Sequence, residues 1–380
     1  MSAIAKVGID ARLSGQQHAG IGRYIENLLK KLLEITPSSI QYTVFFHHKQ
    51  QLNQFATHYP LAKKAHLVLA PYRHYSWSEQ TRWLKQLNQF QLDLLHVPHF
   101  NIPLCYRRPM VVTIHDLLWH QQIGPEATTL PSWKYYLKYL AYRVVAAQAI
   151  NRAKTILVPS KAVSKQIQIY HPQTVSKIVV AYEGVAESFL KAATKKLSLA
   201  NTQQRIQSKN LVYLGSLYPH KNIKVVLQAL QTLTDYQLSI VSARNVFVER
   251  TKLQVRELGL QKRINFLGNL NDEALLEILL SAFALVQPSL SEGFGLTGLE
   301  AMAAHTPVIA SSLDVFHEIY QDAPVFFNPH DSKSLVEAIV SLSSPDRYRQ
   351  SIVRGQKTAS RYSWLKTAET TLNRYQQLLS

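Results

Sequence analysis

The sequence is poor in cysteine, in acidic residues and in long apolar runs, and each shortage excludes a class of protein. Cys105 is the single cysteine among 380 residues, so an internal disulfide framework and a cysteine-rich zinc site are excluded. The longest apolar segments, such as 139–150, are short and contain Arg143, which argues against a membrane span. The start, MSAIAKVGID, shows no basic leader followed by a long apolar core, so we expect no signal peptide.

Acidic residues are scarce enough to leave a formal net charge of +18. Residues 1–185 carry 21 Lys and Arg against 8 Asp and Glu, a balance of +13, whereas the rest of the chain carries +5. A basic first half suits an anionic partner, and nucleic acid, an anionic lipid surface and a phosphorylated substrate all fit. A solvated basic surface without a partner fits equally well.

Short apolar segments alternate with helix-like stretches in two successive series. The first series runs from residues 7–9 to 155–160 and the second from 211–215 to 324–328, with the polar segment 191–209 between them. This alternation predicts two α/β domains, each a doubly wound parallel sheet. We place them at residues 1–185 and 186–361 and expect a final amphipathic helix at 362–380.

Three glycine-rich turns lead from a predicted strand into a helix, which is where open parallel sheets bind ligands. The first contains Gly20 and Gly22 and is followed by Arg23; it is either a ligand loop or a flexible loop with a solvated arginine. The second ends at Lys221, close to a helix start. A lysine there opposes the helix dipole, so the position indicates an anion in the same site, or else a plain surface lysine.

The third turn lies in QPSLSEGFGLTGLEAM, residues 287–302. Glu292 is in the loop and Glu300 is one turn into the following helix. The backbone N–H groups at the helix start belong to Gly293, Phe294, Gly295 and Leu296. Carboxylates accept hydrogen bonds from hydroxyl groups and repel phosphate, whereas a helix start attracts phosphate. A diphosphate flanked by two polyols, as in a nucleotide sugar, satisfies both requirements.

The stretch PSLSEGFGLTGLEAMAAHTPVIAS resembles the signature of the retaining glycosyltransferases of family 4, which have the GT-B fold and an E-x7-E pair. The resemblance continues through GIGRY, VVTIHD, VPSKAVSKQI, YLGSLYPHKN and YSWLKTAETTLNRY, and so covers nearly the whole chain. It implies two Rossmann-like domains that face a central cleft. The first domain is then the acceptor side, the second binds the nucleotide sugar, and the last helix returns to the first domain.

The resemblance also implies roles for individual residues. Glu300 matches the glutamate that binds the ribose hydroxyls, Glu292 the one beside the transferred sugar, and Lys221 the basic residue at the diphosphate. His115 matches a histidine that faces the reacting sugar, and the adjacent Asp116 favours this role over the alternative of a buried structural imidazole at a strand end. The remaining expected donor positions are Gly20, Gly22, Ser216, Gly293, Phe294, Gly295 and Leu296, and the expected acceptor-side positions are Arg23, His99 and Asp116.

Ser216 departs from the family pattern, since many relatives have an arginine there that pairs with the lysine on the diphosphate. We expect His220, Arg23 or Arg244 to supply the second positive charge, or Lys221 and the helix dipoles to act without one. The sequence has no D-x-D triplet, so the metal-bridged diphosphate site of the other large glycosyltransferase fold is not expected. We predict no metal and no other cofactor.

The function implied by the resemblance is a retaining, metal-independent hexosyltransferase. It would move a hexose from a nucleotide sugar to a hydroxyl group of a growing cell-envelope or exopolysaccharide glycan, lipid-linked in many relatives. UDP-glucose is slightly favoured over GDP-mannose, without a residue-level reason. The alternatives are a nucleotide-sugar epimerase on the same fold and a nucleic-acid-binding protein, the latter disfavoured because Glu292 and Glu300 would face phosphates.

Residues 133–143, WKYYLKYLAYR, combine aromatic and basic side chains. On a helix they would either rest on an anionic membrane surface or pack their Tyr and Leu residues into the first domain. The single cysteine suits a reducing cytoplasm, so we expect a cytoplasmic protein. Peripheral association at the inner face of the membrane is the further hypothesis.

Overall fold

The structure is a computed structural model that describes residues 4–15, 19–118, 131–187, 189–190, 202–242 and 246–380. The chain divides into two compact units, residues 1–184 together with 364–380, and residues 185–363. The sequence-based boundaries, after residues 185 and 361, differ from these by one and two residues.

Among the described residues, unit 1 forms a seven-stranded sheet in the order β3-β2-β1-β4-β5-β6-β7, in which all pairs are parallel. Its strands are β1 (Ala5–Asp10), β2 (Ile40–Phe46), β3 (Ala65–Leu69), β4 (Leu94–Val97), β5 (Met110–Thr113), β6 (Thr155–Val158) and β7 (Ile178–Val180). Its helices along the first part of the chain are α1 (Ala19–Ile35), α2 (Lys49–His58), α3 (Leu84–Gln89), α4 (Ser132–Arg152) and α5 (Lys161–Tyr170).

The described part of unit 2 forms a six-stranded parallel sheet in the order β10-β9-β8-β11-β12-β13. Its strands are β8 (Asn210–Leu214), β9 (Gln237–Val241), β10 (Ile264–Gly268), β11 (Ala284–Gln287), β12 (Val308–Ser311) and β13 (Val325–Phe327). Its helices are α6 (Thr202–Ser208), α7 (Ile223–Thr232), α8 (Val246–Glu257), α9 (Asp272–Ser281), α10 (Leu296–Ala303), α11 (Asp314–Tyr320), α12 (Ser332–Leu342) and α13 (Pro345–Ala359).

The central strands explain why the apolar segments were visible in the sequence. Every residue of β4, β5, β6, β11 and β12 is buried, as expected for parallel strands covered by helices on both faces. The edge strand β7 was not predicted, because its three residues are half-buried and give only a short apolar signal. The two doubly wound sheets confirm the predicted fold class.

The last helix, α14 (Trp364–Leu379), belongs to unit 1 and packs against α1. The Trp364 and Tyr24 rings meet edge to face, with centroids 5.7 Å apart. Farther along α14, the buried Tyr375 hydroxyl lies 2.5 Å from His96 Nδ1, and His96 Nε2 lies 2.8 Å from Thr113 Oγ1. The return of the C-terminal helix to the N-terminal domain, implied by the resemblance, is therefore seen.

Helix α4 contains the aromatic and basic stretch, and one of its faces is buried while the opposite face is exposed. Tyr135 and Tyr142 are buried with the aliphatic residues that follow them, which is the packing alternative. The opposite face carries large apolar side chains that are exposed: Trp133, Tyr136, Leu137, Leu140 and Val144. None of the helices in the described part of the chain is long and apolar enough to cross a membrane.

Candidate active site

The strand order of unit 2 brings two of the predicted turns together. Strands β8 and β11 are neighbours in the sheet although two other strands separate them in sequence, so the loops at their carboxyl ends leave side by side. In this arrangement Lys221 Nζ, after β8, lies 2.5 Å from Glu292 Oε1, after β11. The sequence analysis expected an anion close to Lys221. In this structure the anion beside Lys221 is the carboxylate of Glu292.

Backbone and side-chain amide hydrogen bonds hold the loops after β8 and β11 next to each other. The N–H group of Leu290 donates to the His220 carbonyl at 2.7 Å. Asn222 has a left-handed conformation, with φ of 54°, and its amide donates to the carbonyls of Pro288 and Pro329 at 3.1 and 2.8 Å. Asparagine is one of the few residues that tolerate this conformation, so its place after Lys221 is required by the turn.

The ion pair changes the protonation behaviour of this cluster. Burial alone would raise the pKa of Glu292, but the Lys221 ammonium and a hydrogen bond from Ser289 Oγ at 2.9 Å lower it below the usual glutamate range. Burial, together with the nearby Lys221 charge, lowers the pKa of His220 to about 4. His220 is therefore neutral near pH 7 in this arrangement of the two loops.

The other two candidates for the second positive charge do not belong to the described part of unit 2. Arg23 belongs to unit 1 and is half-buried in α1, while Arg244 lies outside the described residues. Ser216, which replaces the usual arginine, accepts a hydrogen bond from the Tyr213 hydroxyl to its carbonyl at 2.6 Å. Lys221 is the cation that unit 2 itself places beside Glu292.

Helix α10 follows the Glu292 loop and begins after Gly295, which has φ of 96°. The Phe294 side chain is buried against the Tyr362 ring, so this residue offers a ligand its backbone and not its ring. Glu300, in the second turn of α10, is only 1% exposed. A carboxylate in so enclosed a position binds hydroxyl donors strongly, because water competes little with them.

In unit 1, His115 follows β5 and is enclosed by protein on several sides. Its Nδ1 lies 3.2 Å from Glu183 Oε1 and its Nε2 lies 3.2 Å from the Pro98 carbonyl. The Tyr24 ring packs edge to face against the imidazole, with centroids 4.6 Å apart. Both ring nitrogens thus have acceptors within unit 1, which is the arrangement expected of the structural alternative. An acceptor at each nitrogen also fixes the orientation of the ring.

The two glycines predicted for the first glycine-rich loop lie instead in the first turn of helix α1, and they have different surroundings. A Cβ on Gly22 would run into the backbone of Gly15, so close packing of α1 against the preceding loop requires glycine there. A Cβ on Gly20 would meet no heavy atom within 4 Å. Packing within the described residues therefore leaves the glycine at position 20 unexplained.

The expected acceptor-side residues of unit 1 occupy separate loops. Asp116 accepts a hydrogen bond from the Leu118 N–H group at 3.0 Å and so shapes its own turn. His99, after β4, is half-buried with its ring 3.9 Å from that of Phe100. In the part of the chain that is described, no three His, Cys, Asp or Glu side chains group together as ligands for a metal ion.

Several residues of these loops were missed by the sequence analysis. Ser289, Asn222 and Glu183 contact Glu292, its loop and His115 respectively. Asn222 had a usable signal, since an asparagine between a Pro-His-Lys turn and an apolar helix indicates a left-handed residue. Glu183 had none, because it lies 68 positions after His115 and the two residues meet only in the folded chain.

Two family models match the sequence and together cover most of it. The model described as "Glycosyltransferase Family 4" matches residues 18–189, and the model described as "Glycosyl transferases group 1" matches residues 178–358. The chain belongs to glycosyltransferase family 4. The fold agrees with this assignment, since the two parallel sheets are those of a GT-B glycosyltransferase.

Individual relatives agree with the family assignment. The chain is 29% identical over 275 residues to the O-antigen chain mannosyltransferase RfbU of Salmonella typhimurium, covering 71% of each chain. It is 26% identical to the O-antigen chain mannosyltransferase B of Escherichia coli, covering 94% of this chain and 96% of the relative. The structure resembles sucrose-phosphate synthase from Thermosynechococcus elongatus with a TM-score of 0.76 at 17% identity, over 98% and 99% of the two chains. This family 4 member is a hexosyltransferase that builds glycans.

Proposed function

We propose that the enzyme transfers mannose from GDP-mannose to a hydroxyl group of a growing, lipid-linked cell-envelope glycan, with retention of the anomeric configuration. The observation that carries the proposal is the contact of Lys221 with Glu292 at the carboxyl edge of the unit 2 sheet, directly before α10 and Glu300. A cation for the diphosphate and carboxylates for sugar and ribose hydroxyls are then available on adjacent loops.

The choice of mannose is supported by the relatives. Two proteins that match most of this chain are named O-antigen chain mannosyltransferases. No residue of the sequence supports the slight preference for UDP-glucose. We therefore favour GDP-mannose as the donor, because both of these relatives are named mannosyltransferases. The family assignment likewise replaces the epimerase and nucleic-acid hypotheses.

The residues take the following roles in this proposal. Glu300 accepts hydrogen bonds from the ribose hydroxyls, Glu292 binds hydroxyls of the transferred sugar, and Lys221 binds the diphosphate. The backbone from Gly293 to Leu296 and the Ser216 turn complete the donor site of unit 2. For unit 1 the proposed roles are donor binding for Gly20 and Gly22 and sugar binding for His115. The proposed acceptor-binding residues of unit 1 are Arg23, His99 and Asp116.

The chemical step breaks the bond between the anomeric carbon and the diphosphate oxygen. The acceptor oxygen bonds to the anomeric carbon on the same face, and its proton passes to a phosphate oxygen of the leaving diphosphate. Negative charge grows on the diphosphate as the bond breaks, so the Lys221 ammonium and the start of α10 stabilise the transition state more than the ground state. In this proposal these groups act without a bound metal ion.

Incubation of the enzyme with a lipid-linked saccharide and a panel of nucleotide sugars tests the proposal. We expect glycoside formation from GDP-mannose, an α-linkage by NMR, and unchanged turnover in EDTA. Transfer from UDP-glucose alone would reject the donor assignment, a β-linked product would reject retention, and loss of activity in EDTA would reject metal independence. An epimerised donor formed without an acceptor would point to the epimerase instead.

The exposed face of α4 supports peripheral membrane association as part of this function. Its apolar side chains recur at three- and four-residue spacings, so they share one side of the helix, opposite the buried one. Lys134 and Arg143 lie on either side of this face, and unit 1 holds most of the positive charge. Lys138 lies nearer the buried side, with its Nζ 5.8 Å from the centre of the Tyr75 ring. Apolar side chains flanked by cations suit an anionic lipid surface, where each cation contributes about 1 kcal/mol.

Sedimentation with vesicles at low salt tests the membrane hypothesis. The wild type should pellet with vesicles rich in anionic lipid and stay in the supernatant with neutral vesicles. Replacement of Leu137 and Leu140, each 62% exposed, by glutamine should abolish pelleting without loss of stability. Replacement of Val340 and Val353, exposed residues of unit 2, by glutamine is the matched control and should leave pelleting unchanged. Equal recovery of the wild type in both supernatants would refute membrane binding.

A further inference from the structure

A tyrosine of the neighbouring helix α11 lies against the first turn of α10. Tyr320 is fully buried, and its ring stacks on Phe316 with centroids 4.8 Å apart. Its hydroxyl is 2.6 Å from Gln287 Oε1 and also contacts the carbonyl of Gly295. The backbone N–H group of Gly298 donates to the same Gly295 carbonyl at 3.1 Å, and the Tyr320 hydroxyl is a second acceptor beside it. One phenol therefore joins the end of β11 to the start of α10.

The hydroxyl stands where a helix-capping side chain is normally found. The first N–H groups of a helix have no partner inside the helix, and a Ser, Thr, Asp or Asn at the N-cap usually accepts from the second or third of them. The N-cap of α10 is Gly295, which has no side chain to do so. Gly298 is the third residue of α10, so Tyr320 serves its N–H group from outside the helix.

The same phenol explains why the loop contains two of its glycines. A Cβ on Gly298 would lie 2.5 Å from Tyr320 Cζ and 2.7 Å from Gln287 Oε1. A Cβ on Gly295 would lie 2.9 Å from Tyr320 Cζ, in addition to being strained by the positive φ. These distances are too short for a real contact, so both positions require glycine as long as the tyrosine is present.

We propose that Tyr320 is a positioning residue for the nucleotide sugar. By fixing the first turn of α10 it sets the directions of the backbone N–H groups at the helix start and of the Glu300 side chain. It does not touch the donor and acts through Gly295 and Gly298. The inference rests on the donor site proposed above. Because the cap comes from another helix, the loop itself needs no side chain in front of α10, where the diphosphate would bind.

Replacement of Tyr320 by phenylalanine tests the proposal, because it keeps the stacked ring and removes only the hydroxyl. The KM for the donor should rise about fivefold to tenfold, the change expected from losing one buried hydrogen bond at a binding site, while the KM for the acceptor stays within twofold. The matched control is Tyr348→Phe in α13. Tyr348 is equally buried in unit 2, and its hydroxyl donates to the Phe283 carbonyl at 2.8 Å, away from the Glu292 loop.

The control separates positioning from stability. A purely structural role would lower the melting temperature of both variants and leave the donor KM of both unchanged. An unchanged donor KM in Tyr320→Phe, or an equal rise in Tyr348→Phe, would overturn the proposal.

Amide hydrogen exchange gives a second measurement that needs no ligand. Exchange in residues 293–300 should increase in Tyr320→Phe and not in Tyr348→Phe, because the cap of the Gly298 N–H group is lost only in the first. If the wild type used no nucleotide sugar, the proposed function would fail, and faster exchange would still establish the cap. Unchanged exchange would overturn the capping contact itself, whatever the donor.

Discussion

Replacing Glu292 by glutamine should make the enzyme bind free GDP more tightly and transfer sugar more slowly. In the structure the Lys221 ammonium is paired with the Glu292 carboxylate. A diphosphate that binds Lys221 must compete with that carboxylate and is also repelled by it. Glutamine keeps the size of the side chain and removes its charge, so both obstacles to the diphosphate disappear.

The structure sets the size of the effect. The Lys221 and Glu292 side chains are 22% and 15% exposed, between a surface pair, worth up to about 1 kcal/mol, and a fully buried pair, where removing one partner costs about 3–5 kcal/mol. A release of about 1–2 kcal/mol corresponds to GDP binding about 5- to 30-fold tighter. Turnover should fall about 100-fold or more, since the hydroxyls of the transferred sugar lose a charged acceptor in the transition state.

Isothermal titration with GDP and initial rates with GDP-mannose measure the two effects on the same preparations. Glu249→Gln is the control, because Glu249 pairs with Lys252 at 2.8 Å on the surface of the same unit and should change neither value. Weaker GDP binding in Glu292→Gln, or unchanged binding together with unchanged turnover, would refute the competition between Glu292 and the diphosphate for Lys221.

Further predictions concern other parts of the molecule. Lys221→Met should lower kcat more than it raises the donor KM, because the charge that it faces grows during the reaction; a kcat within twofold of wild type would reject this. Glu300→Gln should weaken GDP and GDP-mannose alike, by about 1.5–3 kcal/mol in calorimetry, and a loss for only one of the two would reject the ribose contact. Gly22→Ala should lower the free energy of unfolding in urea by about 1–3 kcal/mol because its Cβ meets the Gly15 backbone, whereas Gly20→Ala should leave it unchanged; equal effects would contradict the packing described. Burial lowers the pKa of His96 to about 3, so between pH 6.5 and 3 the unfolded chain binds a proton that the folded chain does not. The free energy of unfolding should therefore fall below pH 6.5 by up to about 1.4 kcal/mol per pH unit, with a shallower slope in His96→Gln; equal slopes would show that His96 is not responsible.

The sequence by itself was sufficient for the fold class and for the approximate position of most strands. Strands buried on both faces, such as β4 and β11, are apolar along most of their length, so they can be identified without any knowledge of their neighbours. The edge strand β7 was missed because its apolar segment has only three residues. The sequence also singled out three charged residues near glycine-rich turns, Glu292, Glu300 and Lys221. Charged groups at these positions are unexpected in a purely structural loop.

The tertiary structure alone decided which of these residues meet. Lys221 and Glu292 are 71 residues apart, and their contact depends on β8 lying beside β11, a strand order that no local pattern encodes. The glycines of the third turn are a second case. From the sequence, Gly295 was expected to offer its backbone N–H group to a ligand. The structure shows in addition that the Tyr320 phenol from α11 leaves no space for a Cβ at this position. Hydrophobic periodicity is a local property and survives in one sequence, but contacts across a sheet depend on topology, which the whole chain settles only when it folds.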